Sequence, residues 1–97
     1  MLTKDQIRNS LKSELPYLQK RFHVQKLSLF GSFSRSEQTS ESDVDILVTF
    51  SEIIDLFEFI ELENHLRDVL GCNVDLVMEN KLKDRIKDTI INEAVLI

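Results

Sequence analysis

Apolar residues recur along this chain with two different periods, and the switches between them divide it into elements. Ile7, Leu11, Leu15, Leu18 and Phe22 recur at three- and four-residue spacing, which predicts an amphipathic helix from about Lys4 to Arg21. Thr3 and Gln6 supply a capping box ahead of it. Pro16 lies inside, removes a backbone donor and predicts a kink or break near Ser13 to Pro16. Lys12, Lys20 and Arg21 fall on the polar side and read as solvated. His23 falls in the turn that follows, where a lone histidine reads as structural or exposed.

Three short apolar runs then read as strands: Gln25 to Phe30, Val44 to Phe50 and Asn73 to Met78. A polar loop separates the first two. Between the second and third, Ile54, Phe57, Ile60 or Glu61, Leu62, Leu66, Val69 and Leu70 mark a second long helix, which Gly71 closes. Phe57 and Phe59 cannot both face one core. Either this helix is packed on two sides or it offers an apolar patch to a partner. His65 sits on it among acidic neighbours and reads as a solvated surface group. Lys81 to Glu93 reads as a final helix with Leu82, Ile86 and Ile90 inward, joined by Ile91 and Ala94. Val95-Leu96-Ile97 is either a short added strand or part of an interface. No repeat, linker or low-complexity stretch interrupts the pattern. A strand, a helix and a strand in succession predict a parallel crossover, so the third strand should run beside the second in the same direction.

Composition narrows the class. The 97 residues, 42% hydrophobic and 30% charged, predict one soluble globular domain spanning 1–97 with a single core. Twelve Lys and Arg against seventeen Asp and Glu leave a net charge of −5. That balance argues against a nucleic-acid partner, whose backbone calls for clustered cations. It suits a small nucleotide held through metal, or a basic protein partner. One cysteine, Cys72, allows no internal disulfide and fits a reducing compartment. It reads as a small buried apolar group rather than a nucleophile. No apolar run approaches the length of a membrane span and no signal-peptide pattern opens the chain, so a cytoplasmic location with no membrane partner is expected.

The candidate chemistry lies between Leu29 and Val48. The first strand ends in Gly31-Ser32, ten residues follow from Phe33 to Ser42, and Asp43-Val44-Asp45 opens the second strand. Side chains alternate along a strand, so Asp43 and Asp45 point one way and Val44 the other. Two carboxylates on one face repel, and a hard divalent cation that also holds substrate phosphates relieves them. Gly31 lets a phosphate approach the backbone, Ser32 adds a hydroxyl, and the amides after them favour an anion. Arg35 is the loop's one cation. It reaches a nucleotide phosphate or developing charge, or it pairs on the surface with Glu37 or Glu41. Asp75 is one acid inside an apolar strand, where a charge without a partner is costly. A parallel third strand brings it to the same end of the sheet as Asp43 and Asp45. The alternative is a strand-edge acid making ordinary hydrogen bonds.

Gly-Ser, ten residues and Asp-x-Asp, followed by a third acid on a later strand, resembles the nucleotidyltransferase superfamily related to DNA polymerase beta. The resemblance covers nearly the whole chain and is closest to the minimal nucleotidyltransferases, the MNT group, often paired as antitoxins with HEPN-type toxins. It implies an α/β (α+β) fold, a small mixed sheet with helices packed on it, of the polymerase beta-like palm type. It implies two Mg²⁺ ions, with Mn²⁺ as a substitute, held by Asp43, Asp45 and Asp75. It implies an NTP, ATP by preference, with its phosphates on Gly31, Ser32 and Arg35. Family members usually carry glycine where Ser36 stands, so the loop here is expected to be less pliable. The implied reaction is AMP transfer from ATP to a hydroxyl, that of a tyrosine on a cognate HEPN toxin. The alternatives are a small-molecule adenylyltransferase and a non-catalytic nucleotide-binding module that neutralises its partner by contact. A chain this short needs that partner, or a homo-oligomer, to complete the site.

Overall fold

A computed structural model describes residues 3–31 and 43–97 of the 97-residue chain. Helix α1 spans Lys4–Phe22, and both halves of the predicted capping box form at its start: Gln6 N–H donates to Thr3 Oγ1 and Thr3 N–H to Gln6 Oε1. The expected break at Pro16 does not occur. Helix α1 runs on unbroken, because Pro16 and Lys12, whose carbonyl loses its partner, both stand on the exposed side within reach of water. His23 ends the helix in the left-handed region (φ 57°), a structural role, and its carbonyl accepts from Ser51 N–H at 2.8 Å.

Strand β1 (Val24–Phe30) pairs antiparallel with β2 (Val44–Phe50). Helix α2 (Leu56–Leu70) leads from β2 to β3 (Val74–Met78), which pairs with β2 in parallel as the crossover predicts. Asp55 caps α2 by accepting from Glu58 N–H, and Gly71 closes it at φ 67°. Strand β4 (Val95–Leu96) pairs antiparallel with β1, which turns the apolar C-terminal run into an added edge strand. The sheet order is β3-β2-β1-β4. The mixed sheet with helices packed on it is the fold class the sequence implied.

The registers sort the strand residues between two faces. Leu27, Leu29, Val44, Ile46, Val48, Val74 and Leu76 share one face and form one core with Ile7, Leu11 and Leu18 of α1 and Leu62, Leu66 and Leu70 of α2. Phe30, Asp45 and Asp75 lie across the other face.

Several expectations change. Arg21 is not merely solvated: it donates to Glu61 at 2.7 Å and ties α1 to α2. His65 is no free surface group but half-buried, its Nε2 3.1 Å from Glu14 Oε2 and its ring 5.2 Å from that of Tyr17. The periodicity of each helix alone could not reveal a contact between the two. The last helix is shorter than expected: a turn of 3-10 helix covers Glu79–Lys81 and α3 covers Asp84–Glu93. Ile86, expected inward, is exposed, and no residue of α3 is fully buried. Helix α2 is not packed on two sides. Phe59 packs on the core, whereas Phe57 is 80% exposed.

The core predicts its own sensitivity. Ile46→Ala, at a site with no exposure, should lower the unfolding free energy by about 2–5 kcal/mol. Thr3→Ala, which removes only the cap, should cost about 1 kcal/mol. Urea unfolding followed by circular dichroism measures both.

Candidate active site

Strand pairing places the acids. Asp45 and Asp75 are direct partners in the parallel β2–β3 ladder, so their side chains leave the same face of adjacent strands, about 4.8 Å apart. Asp43 sits just ahead of β2, at the same end of the sheet, where Val44 N–H donates to Asn73 O at 3.0 Å. Between the two acids Val44 points the other way and is fully buried, as strand alternation requires. Among the described residues, neither Asp43 nor Asp75 forms an ion pair, and both are exposed.

Gly31 belongs to this constellation for a reason the sequence does not display. Its φ of +71° favours glycine, and a Cβ built there would collide with Asp45 Oδ2. The antiparallel register sets Phe30 opposite Asp45, so the first turn residue after β1 lies under the Asp45 carboxylate. A side chain at residue 31 would displace the acid as well as block close approach of a ligand to the backbone. Ser32, Arg35 and Ser36 lie outside the described residues.

A divalent ion fits this arrangement by charge and by ligand type. Two register-paired carboxylates, Asp75 exposed and Asp45 half-buried, are hard oxygen donors that repel one another. Among the described residues, no three His, Cys, Asp or Glu side chains already close into a metal-binding group. Mg²⁺ does not require such a cage, since it typically takes one or two carboxylates, several waters and substrate phosphates. Asp45 and Asp75 are such a pair, and Asp43 stands at the same end of the sheet.

Cys72 lies between α2 and this end of the sheet. Partial burial raises its thiol pKa, and the negative charge of Asp43 raises it further. A thiol kept protonated is a weak nucleophile, in keeping with the packing role expected of it.

Sequence reasoning missed the support of β3. This edge strand would leave backbone groups unpaired, but α2 covers them. Glu63 Oε2 accepts from Leu76 N–H at 3.4 Å, and Arg67 Nη2 donates to Val74 O at 3.3 Å. Glu63 and Arg67 are themselves 3.0 Å apart, an i,i+4 pair. The spacing of that pair was visible, but its reach to a strand was not. A cavity of about 650 Å³ lies elsewhere, at the far ends of β2 and β3, lined by Val48, Phe50, Ile54 and Met78 among others. It contains none of the three acids.

The family described as Polymerase beta, Nucleotidyltransferase matches residues 13–97. The chain belongs to this nucleotidyltransferase family. Its members generally use divalent metal ions, as the paired acids allow. The chain is 45% identical, over its whole length and 98% of the relative's, to the protein adenylyltransferase MntA of Thermococcus cleftensis. Its fold is similar to a solved minimal nucleotidyltransferase, with TM-score 0.84 and 31% identity over 97% of this chain and 95% of that one. It is also similar to a chain in a crystal structure of a toxin-antitoxin with AMP-PNP, with TM-score 0.70 and 26% identity. That match covers 98% of this chain and 72% of the other.

Two predictions follow from the contacts. Gly31→Ala should destabilise the protein by about 1–2 kcal/mol through the left-handed backbone. The collision of the new Cβ with Asp45 Oδ2 adds to that cost, and this added part, not the backbone part, should disappear in Gly31→Ala/Asp45→Ala; a double-mutant cycle of urea midpoints reads the coupling. For Cys72, Asp43→Asn removes a charge that favours the protonated thiol. In buffer with EDTA, the pH profile of iodoacetamide alkylation should move to lower pH than in wild type. It should remain above that of a free cysteine peptide, because burial, the larger cause, persists.

Proposed function

We propose that this chain is a protein adenylyltransferase that moves AMP from ATP to a hydroxyl of a cognate HEPN-type toxin, a tyrosine by preference, and so acts as its antitoxin. The observation that carries the reading is the register pairing of Asp45 with Asp75 beside Gly31. The resemblance to the adenylyltransferase MntA and to a toxin-antitoxin structure with AMP-PNP supports the substrate class and the kind of partner.

In this mechanism Asp43 and Asp45 would hold two Mg²⁺ ions, for which Mn²⁺ is a substitute, and Asp75 would complete the set. When bound, such ions lower the pKa of an acceptor hydroxyl and neutralise charge on the triphosphate. The chain's own groups do the positioning. Gly31 leaves the backbone open to the phosphate tail, while Ser32 donates its hydroxyl and Arg35 its guanidinium to phosphate oxygens. The acceptor oxygen attacks the α-phosphorus, and pyrophosphate leaves as the α–β bridge breaks. Asp75, exposed beside Asp45, accepts the hydroxyl proton. Asp43 and Asp75 are exposed at this end of the sheet, so the acceptor comes from outside, on a partner protein. A cytoplasmic setting supplies ATP and Mg²⁺, and among the described residues no helix is long and apolar enough to cross a membrane.

Radiolabelled ATP with Mg²⁺ and the protein encoded by the adjoining gene tests this reading. Label should appear on that protein, and Asp45→Ala should lower the transfer rate at least about 100-fold, the scale of losing a preorganised charge contact. Label on a small metabolite instead would support a small-molecule transferase. Toxin silencing that survives Asp43→Ala/Asp45→Ala would support a contact-acting module.

A further inference from the structure

Helix α2 carries a second apolar stripe that the core does not use. Leu56, Phe57 and Ile60 stand at i, i+1 and i+4 in the first turns of the helix, 69%, 80% and 45% exposed, and Ile53, 102% exposed, lies in the segment just ahead of the Asp55 cap. Leu56, Phe57 and Ile60 lie on a different side of the helix from Leu62, Leu66 and Leu70, which are buried in the core. Fully exposed side chains of this size each present on the order of 150–200 Å², so the stripe offers roughly 500 Å² of apolar surface. That is at the upper end for the largest patch of a monomeric protein, a size that often marks function. A standard interface takes about 800 Å² from each partner, so the stripe is large enough to form the centre of one.

Charge decides what covers it. From Ser51 to Leu66 the chain carries Glu52, Asp55, Glu58, Glu61 and Glu63 and no Lys or Arg. Arg21 reaches across from α1 to Glu61, and His23 Nδ1 lies 3.7 Å from Glu52, but Asp55 and Glu58 have no cationic partner among the described residues. A second copy laid on the same stripe would set these carboxylates against their own images, a like-charge contact that disfavours assembly. An apolar face bordered by Lys and Arg meets the opposite condition, and the chain's net charge of −5 favours such a partner at a distance.

We propose that the Ile53–Ile60 stripe is the docking surface for the protein acceptor, by way of an apolar face with a basic rim on that partner. This rests on the reading of the chain as a protein adenylyltransferase. The stripe opens α2, whereas the acids lie beyond its other end, about 20 Å away at 1.5 Å per residue. Docking and chemistry are therefore carried by separate parts of the surface, and the acceptor segment has to extend from the docked body to the acids.

The experiment uses the full chain and the HEPN-type protein encoded beside it. Binding is measured by calorimetry at low and high salt, AMP transfer by label, and the size of the chain alone by light scattering. Phe57→Glu and Ile60→Glu, both at exposed helix positions, should keep the wild-type melting temperature and weaken binding at least tenfold. They should raise KM for the acceptor and leave kcat within about twofold. Glu58→Lys should slow association most at low salt. Asp45→Ala should bind as wild type and fail to transfer, so loss of the docking idea and loss of the catalytic idea give different patterns. Unchanged binding by Phe57→Glu, wild type that does not bind the partner, or a wild-type homodimer that Phe57→Glu dissolves would each overturn the proposal.

Discussion

Two carboxylates held side by side on adjacent strands are the arrangement the rest of this fold has to sustain. At such separations their repulsion is of order 1 kcal/mol in watery surroundings and grows as water is excluded. What imposes it is the parallel pairing of β2 with β3, in which Val44 opposes Val74 and Ile46 opposes Leu76 on the core face. A one-residue slip would turn those apolar side chains to the other face and the acids into the core, so burial of the core holds Asp45 against Asp75. The hydrophobic effect thus maintains an electrostatic cost that, in the proposed mechanism, a divalent ion and a triphosphate would relieve.

The elements around that pair read as its supports. Helix α2 spans the crossover that makes β3 parallel, and its Glu63 and Arg67 satisfy backbone groups on the exposed edge of that strand. Strand β1 pairs on the other side and ends at the turn where Gly31 passes under the Asp45 carboxylate. Helix α1 is tied to α2 by Arg21–Glu61 and Glu14–His65, which fixes the layer behind the sheet. The site is built from an edge strand, a turn and a strand start, each held from behind by packing rather than by bonds among the acids.

A division of labour follows from the same architecture. The end of the sheet that gathers the acids is polar and open, whereas the start of α2, at the opposite end, is apolar and rimmed with acid. A transferase whose acceptor is a large molecule gains from that separation, since the surface that gives affinity can be apolar without crowding charge at the metal site. On the proposed reading, the net negative charge serves two purposes: hard ligands for cations at one end and selection against self-association at the other.

The spacing Gly31-Ser32, ten residues, Asp43-Val44-Asp45 and the isolated acid Asp75 were legible from the chain alone, because strand alternation and the right-handed crossover are local rules that act whatever the partner strand is. The same holds for the Thr3–Gln6 cap, Gly71 and the span of β2. Periodicity also marked α2, but it left the position of Phe57 open, because an apolar residue contributes equally to the pattern whether it is covered or bare. Tertiary structure alone decided that Gly31 lies beneath Asp45, that Arg21 and His65 bridge two helices, that Ile86 is exposed, and that Val95–Leu96 joins β1. Each of these depends on which segments distant in sequence meet, and that is set by the collective burial of one core, a quantity that no single window of residues contains.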